Sequence, residues 1–141
     1  MSLVIDASVA TKYLLPEADT DKARAVFKEW QGGRVDLLAP DVLPAEVANA
    51  LWKRALRGLA SRDEVERLFE QFSGMRIPLT PADDLAGSAL RLALTHRHSV
   101  YDGLYLALAL ETGWDFLTAD ERLFNLLSAA FPQVRLLRHW S

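Results

Sequence analysis

The chain has 141 residues, of which 50% are hydrophobic and 25% charged, and its formal net charge is −3. These values are typical of one compact domain over residues 1–141, with enough length to bury a substantial core. The lack of cysteine excludes disulfides and thiolate metal sites and favours a cytoplasmic location. No apolar stretch is long enough to cross a bilayer, and the first residues lack the basic region of a signal peptide.

The N-terminal part of the sequence alternates short apolar runs with helical patterns. Residues 3–5 are predicted to form a buried first strand that ends at Asp6, and a short helix follows over residues 9–15. Apolar residues at helical spacing then predict a second helix, which ends at two glycines. Residues 35–39 are predicted to form the second strand.

Two helices and one weak strand are predicted for the middle of the chain. Asp41 is expected to cap a third helix that Gly58 closes, and Ser61 begins a capping box for a fourth helix that ends at Gly74. Residues 77–79 predict a short strand. Because this strand contains a proline, we place it at an edge of the sheet.

The last part of the sequence continues the alternation. Thr80 opens a capping box for a fifth helix that runs to about His96. A sixth helix over residues 100–112, capped by Ser99, is apolar on nearly all sides and is therefore expected to be buried. The remaining predicted elements are a strand over residues 116–118, a helix over 120–130 and a strand over 134–137.

Strands thus alternate with helical segments throughout the chain. This order predicts an α/β fold of three layers, in which a central parallel sheet of about five short strands is covered by helices on both faces. Ligands of such open sheets bind beyond the carboxyl ends of the strands. Polar residues at that edge without an evident structural partner are therefore candidates for function.

Asp6 directly follows the first predicted strand. An unpaired carboxylate beside so apolar a run would lose its hydration, so it needs a cation, hydrogen bonds or a function. One alternative is a turn-forming aspartate that accepts hydrogen bonds from the backbone of the next helix. The other is a functional site at the sheet edge, which requires matching groups from other parts of the chain.

Three further acids, Glu46, Asp102 and Asp120, fall near the starts of predicted helices. None has a basic residue three or four positions further on, so no ion pair within the helix explains it. A solvated surface position is the alternative for Glu46, and a capping box is the alternative for Asp102. For Asp120, a capping box formed by Thr118 and Glu121 would leave the Asp120 carboxylate itself without a structural partner.

The four acids are predicted to converge at the carboxyl edge of the sheet. Crowded carboxylates cannot all ionise without compensation, and a divalent metal ion is the simplest source of it. Ligand sets made only of oxygen favour Mg²⁺ or Mn²⁺. The sequence therefore predicts a carboxylate metal site.

Four segments that contain these acids resemble PIN-domain proteins, and more narrowly the VapC-type toxins of bacterial and archaeal toxin–antitoxin pairs. They are residues 4–9, 39–52, 99–109 and 117–123. The resemblance maps the family's acids onto Asp6, Glu46, Asp102 and Asp120, with Ser8, Thr118 and Asn49 in supporting positions. Gly103 departs from the family pattern, in which alanine is more usual, and is expected only to weaken its helix slightly.

The resemblance implies a Mg²⁺- or Mn²⁺-dependent ribonuclease that is commonly a homodimer and is inhibited by a cognate antitoxin. The antitoxin's tail would cover the acidic site, often with an arginine. Asp6 and Asp102 would be the principal metal ligands, Asp120 would complete the site, and Glu46 would hold a second metal ion or orient the attacking water.

For several other residues the sequence supports a functional role less strongly. Basic residues that could hold the RNA backbone are Lys53, Arg54, Arg57, Arg62, Arg97 and Arg135, although a solvated helix face explains each equally well. Tyr101 and Tyr105 could stack on bases, but core packing is the favoured interpretation. His96 and His98 are expected at the surface rather than on a metal. The apolar residues Leu51, Trp52 and Phe69 fit an antitoxin groove, a dimer interface or the core.

The sequence leaves two alternatives to the toxin open. A housekeeping RNA-processing nuclease would carry the same acids, and a non-catalytic PIN-like binding module would bind RNA without cleaving it. Receiver domains and haloacid-dehalogenase-like phosphatases fit poorly, because the residues that follow Asp6 are alanine and serine rather than a second acid. No glycine-rich loop follows the first strand, which excludes a P-loop or dinucleotide-binding protein.

Overall fold

Five parallel strands form the centre of the protein in a computed structural model that describes residues 1–141. The strands are β1 (Ser2–Ile5), β2 (Asp36–Pro40), β3 (Leu79–Thr80), β4 (Asp115–Thr118) and β5 (Val134–Leu136). The helices are α1 (Ala7–Leu14), α2 (Thr20–Gln31), α3 (Leu43–Leu56), α4 (Arg62–Met75), α5 (Ala86–His96), α6 (Val100–Thr112) and α7 (Glu121–Leu127). This architecture confirms the predicted α/β fold with a central parallel sheet.

The strand order is β3-β2-β1-β4-β5, so β1 lies at the centre of the sheet. Val4 pairs with Leu38 of β2 on one side and with Phe116 of β4 on the other. The first connections lead from β1 towards β2 and β3, whereas the chain later crosses to β4 and β5 on the opposite side. The order therefore reverses between β1 and β4, and a crevice for a ligand is expected beyond the carboxyl ends of these two strands.

Helices cover both faces of the sheet. On one face α1 packs against α2, α3 and α4, and on the other α6 packs against β1, β2 and β4, with α5 along its outer side. The three residues 3–5 of β1 are fully buried, and the middle of α6, residues 103–109, is buried, in agreement with the apolar sequences of both segments. None of the helices combines the length and the apolar character that crossing a membrane requires.

Two predicted helix caps are wrong, because a tertiary hydrogen bond uses the Asp41 side chain and strand pairing places Thr80 in the sheet. Asp41 does not cap α3; its Oδ1 accepts a hydrogen bond from Ala82 N at 3.0 Å, across the loop that follows β3. Thr80 ends β3 instead of opening a helix, and a short 3₁₀ turn (Asp83–Leu85) precedes α5. The caps by Ser61 on α4 and Ser99 on α6 are confirmed.

Several predicted boundaries also shift. Helix α4 continues through Gly74 and ends before Arg76, which adopts a left-handed conformation with φ of 54°. Helix α7 ends at Leu127 rather than near Ala130. The predicted edge strand is confirmed at the edge but starts at Leu79, because Pro78 precedes it.

Gly103 has a structural role that the sequence did not predict. A Cβ atom at this position would lie 2.7 Å from the backbone oxygen of Ala89 in α5. Glycine thus allows α5 and α6 to pack closely, immediately after Asp102. The expectation that Gly103 merely weakens its helix is therefore wrong.

We expect Gly103→Ala to lower the free energy of unfolding. Overpacking against rigid backbone costs about 1–3 kcal/mol, which outweighs a gain of roughly 1 kcal/mol in helix propensity. Gly74→Ala is the matched control, since its Cβ would meet no atom within 4 Å in α4. Urea unfolding of both variants should show a loss for Gly103→Ala and no loss for Gly74→Ala. Equal gains in both would contradict the close contact.

Candidate active site

The crevice beyond β1 and β4 receives the starts of four helices, and each brings one of the predicted acids. Asp6 is the N-cap of α1 and Asp120 the N-cap of α7, while Glu46 and Asp102 lie in the first turns of α3 and α6. The positive ends of the helix dipoles favour anions at such positions. None of the four carboxylates forms an ion pair with a basic residue.

Asp6 is buried, with 6% of its surface exposed, and both of its carboxylate oxygens accept hydrogen bonds. Oδ1 accepts from the backbone N–H groups of Ser8 at 3.1 Å and Val9 at 3.3 Å and from the Ser8 hydroxyl at 2.5 Å. Oδ2 accepts only from the Thr118 hydroxyl, at 2.5 Å. The turn-forming interpretation of Asp6 is thus realised, but Oδ2 keeps capacity for a second partner.

The hydroxyls of Ser8 and Thr118 connect Asp6 to the turn that follows β4. Ser8 Oγ accepts a hydrogen bond from Ala119 N at 2.9 Å, and Thr118 Oγ1 accepts from Asp120 N at 3.1 Å. Since each hydroxyl has one hydrogen, accepting from these amides leaves that hydrogen to point at Asp6. The network therefore fixes the Asp6 carboxylate as an acceptor and joins β1 to β4.

Burial raises the pKa of Asp6 to about 7. Hydrogen bonds from Ser8, Thr118 and Val9 oppose the rise, whereas the charge of Asp102 adds to it. A carboxyl group with this pKa titrates near neutrality, so its charge responds strongly to any cation that enters the crevice.

Glu46 and Asp102 are half-buried, and the pKa of each is raised mainly by loss of hydration. Asp102 raises the pKa of Glu46, and Asp120 raises that of Asp102. The charge of Asp102 also raises the pKa of Asp6, so Asp102 interacts electrostatically with all three other acids. The structure therefore brings the four predicted acids into one electrostatic group centred on Asp102.

Asp120 itself is exposed, and its Oδ1 accepts a hydrogen bond from Leu123 N at 3.1 Å. The alternative in which Thr118 caps α7 is wrong, because Thr118 lies in β4 and its hydroxyl is bound to Asp6. Capping occupies only one oxygen of Asp120, so the other remains available at the crevice.

Glu46 is held by Tyr105, whose hydroxyl donates to Glu46 Oε1 at 2.5 Å. The tyrosine is 1% exposed, and its ring stacks on Phe116 of β4, with centroids 6.1 Å apart. Core packing was predicted for Tyr105 and is confirmed, but this hydrogen bond was missed. The only signal in the sequence was a tyrosine three residues after Asp102 in an otherwise apolar helix.

Known proteins match both the sequence and the fold. The sequence profile of the PIN domain matches residues 3–128. A protein named ribonuclease VapC3 from Pyrobaculum aerophilum is 36% identical over 127 residues, which are 87% of this chain and 92% of that protein. Ribonuclease VapC12 from Mycobacterium tuberculosis is 31% identical over 121 residues, or 86% of this chain and 88% of its own.

This chain belongs to the PIN-domain family, in its VapC branch. The crystal structure of Mycobacterium tuberculosis VapC20, described as a sarcin–ricin loop cleaving toxin, has the same fold. The TM-score is 0.66 at 15% identity, and the match covers 94% of this chain and 98% of that one. These findings confirm the family and the fold that the sequence motifs predicted.

The oxygen donors of this PIN domain suit a hard divalent cation. No three His, Cys, Asp or Glu side chains lie close enough together to surround a metal ion directly. The four acids, Ser8 and Thr118 nevertheless offer carboxylate and hydroxyl oxygens, and a cation would offset the raised pKa values of the carboxyl groups. Mg²⁺ usually keeps several waters in proteins and needs only one or two direct carboxylates, which these residues can supply.

Other predicted residues are not part of this network. Asn49 is exposed on α3 and forms no side-chain hydrogen bond, so its supporting role stays a prediction. Tyr101 is 59% exposed, which makes the expectation of core packing wrong for this residue. His96 and His98 are half-buried rather than at the surface; His96 packs edge-on against Phe131, with ring centroids 4.9 Å apart.

The candidate RNA-binding residues divide into two groups. Arg54, Arg62 and Arg135 form ion pairs within the protein, with Glu17, Glu66 and Asp115 respectively. Lys53, Arg57 and Arg97 form none.

We expect Asp6→Asn to change how stability depends on pH. Because the pKa of Asp6 is raised in the folded state, the folded protein binds more protons than the unfolded chain between about pH 4 and 7, so stability falls as pH rises through this range. Asparagine cannot ionise, so the free energy of unfolding of the variant should rise relative to that of the wild type by about 3 kcal/mol between about pH 4.5 and 8.

Urea unfolding in EDTA, from about pH 4.5 to 8, measures this difference. Asp84→Asn is the control, because Asp84 is exposed and lies outside the crevice. Parallel stability curves for Asp6→Asn and the wild type would show that burial does not perturb Asp6.

Proposed function

We propose that this protein is a Mg²⁺- or Mn²⁺-dependent endoribonuclease that acts as the toxin of a toxin–antitoxin pair. The observation that carries the proposal is the group of four carboxylates at the starts of four helices, around a buried Asp6 that has no cationic partner. The names of the relatives VapC3 and VapC12 support RNA as the substrate, and the description of VapC20 as a toxin supports the biological role.

Each acid has a distinct part in the proposed reaction. Asp6 and Asp102 would hold the metal ion, directly or through water, and Asp120 would complete the site. A bound divalent ion neutralises charge on the scissile phosphate and acidifies water at neutral pH. Ser8 and Thr118 keep the Asp6 carboxylate in one orientation, and Tyr105 holds Glu46, which would orient the attacking water or hold a second metal ion.

An apolar cavity between α3 and α4 supports an antitoxin partner. Its lining includes Leu51, which is buried, Phe69, which is half-buried, and Trp52, which is 56% exposed. Charged residues of α4, among them Glu66 and Glu70, also line it. An amphipathic segment of the antitoxin would fill this cavity with apolar side chains.

A homodimer remains part of the proposal. Leu90 and Leu94, one turn apart on α5, are 50% and 74% exposed and offer an apolar contact for a second copy.

The lack of cysteine agrees with a cytoplasmic protein.

The first test is cleavage of a structured RNA by protein freed of any antitoxin. We expect cleavage in Mg²⁺ or Mn²⁺ that is lost in EDTA and falls by about 100-fold or more in Asp6→Asn. Asp84→Asn, which changes an exposed acid, should cleave like the wild type. Cleavage that survives Asp6→Asn would come from a contaminating enzyme and would remove the support for the site.

Two outcomes separate the alternatives from the toxin. RNA binding without cleavage in any divalent ion favours the non-catalytic binding module. Cleavage by a protein whose expression leaves growth unchanged favours an RNA-processing nuclease. The toxin requires that the wild type stops growth and that Asp6→Asn does not.

Tyr105→Phe tests the role assigned to Glu46. The variant keeps the buried ring and its stacking on Phe116 but loses the hydroxyl that holds Glu46, so we expect kcat to fall about 10-fold with little change in KM. Tyr101→Phe, at an exposed position, should have no effect.

A double-mutant cycle with Glu46→Gln provides the control for this prediction. If Tyr105 acts through Glu46, its loss should cost much less in the Glu46→Gln background. Additive losses in the two variants would mean that the hydroxyl acts in some other way.

A further inference from the structure

An acidic chain that cleaves RNA has to hold a polyanion beside four carboxylates. The net charge of −3 gives no general attraction for phosphate, and a metal ion alone offsets only part of the charge in the crevice. Cations of the protein must therefore lie next to the site. The relevant residues are those that line one cavity together with the acids.

One cavity of about 230 Å³ meets this condition. Asp102 and Asp120 form part of its wall, and Arg97 and Arg122 line it from the turn before α6 and from the start of α7. Neither arginine forms an ion pair with any carboxylate, although both share the cavity with two of them. The two positive groups are thus available to a ligand.

Local structure does not explain either arginine. Arg97 occupies the left-handed position that ends α5, with φ of 65°, where glycine or asparagine is the usual residue. Arg122 lies in the first turn of α7, where the helix dipole disfavours a cation.

The turn that carries Arg97 is held in place by its neighbour. His98 Nδ1 and the Ser99 carbonyl oxygen lie 2.8 Å apart, and since the carbonyl can only accept, the histidine nitrogen donates. The His98 ring also stacks parallel to that of His96, with centroids 6.4 Å apart. These contacts fix the backbone at Arg97 relative to Ser99, whose hydroxyl caps α6 at Asp102 N.

We propose that Arg97 and Arg122 form a subsite for an RNA phosphate next to the scissile one. The planar guanidinium group matches phosphate oxygens in a bidentate manner, and two of them flank the acids without neutralising them. The subsite rests on the proposed ribonuclease function and extends it. Arg97 was among the RNA-contact candidates in the sequence, whereas Arg122 was identified only from the cavity.

Salt dependence of RNA binding tests this subsite directly. Binding of a fluorescein-labelled, mixed-sequence single-stranded RNA is followed by anisotropy over a series of salt concentrations, with Asp6→Asn as the parent protein so that the RNA stays intact. Arg97→Gln and Arg122→Gln should each weaken binding several-fold at low salt. Each should also reduce the slope of log K against log salt concentration by about 0.7, the value for one lost phosphate contact on a single strand.

Arg76→Gln is the matched control. Arg76 also occupies a left-handed position at the end of a helix and forms no ion pair, but it lines a different cavity that contains none of the four acids, beside Phe72 and Ile77. Its substitution should leave affinity and slope unchanged. Arg97→Lys should keep the slope, because the charge remains, while losing some affinity with the bidentate geometry.

Three results would overturn the subsite. One is a slope of log K against log salt concentration that is the same for Arg97→Gln and Arg122→Gln as for Arg76→Gln. A second is an unchanged RNA slope together with lost affinity for a poly-glutamate peptide, which would assign the arginines to a protein partner. If the parent binds no RNA and the wild-type protein cleaves none, the ribonuclease proposal fails together with its subsite.

Discussion

The fold and the site both depend on the buried hydrogen-bond network around Asp6. Its carboxylate caps α1, and through Ser8 and Thr118 it binds the turn between β4 and α7. The same side chain therefore fixes the first helix on β1 and joins β1 to β4 at the point where the strand order reverses. The proposed chemistry would use the same group as the fold, because each hydrogen bond that satisfies the buried carboxylate also orients it.

Capping and metal binding are compatible roles for the acids, rather than competing explanations. Asp6 and Asp120 each cap a helix, and Glu46 and Asp102 lie in first helical turns. Helix starts attract anions, so the dipoles of four converging helices partly offset the cost of concentrating negative charge at one edge. Three of the four acids still have raised pKa values, and a cation would relieve that remaining repulsion and loss of hydration.

The positions of the acids depend on close packing away from the crevice. Gly103 lets α5 approach the first turn of α6, and Tyr105 connects the sheet, through Phe116, to Glu46 on α3. Asp102 and Glu46 belong to helices that follow different strands, so only this packing sets the distance between them. A glycine and a tyrosine that look like core residues thus determine the shape of the candidate active site.

The sequence by itself determined the alternation of strands and helices, the edge strand, the family and the choice of the four acids. These features depend on periodicity, turn residues and short motifs, which involve residues close together in the chain. Tertiary structure decided the partners of single side chains. Asp41 binds Ala82 instead of capping α3, Thr118 binds Asp6 instead of capping α7, and Arg122 lines the same cavity as Asp102. Each of these contacts joins segments far apart in the chain, and no local preference encodes which donor will reach which acceptor once the sheet has formed.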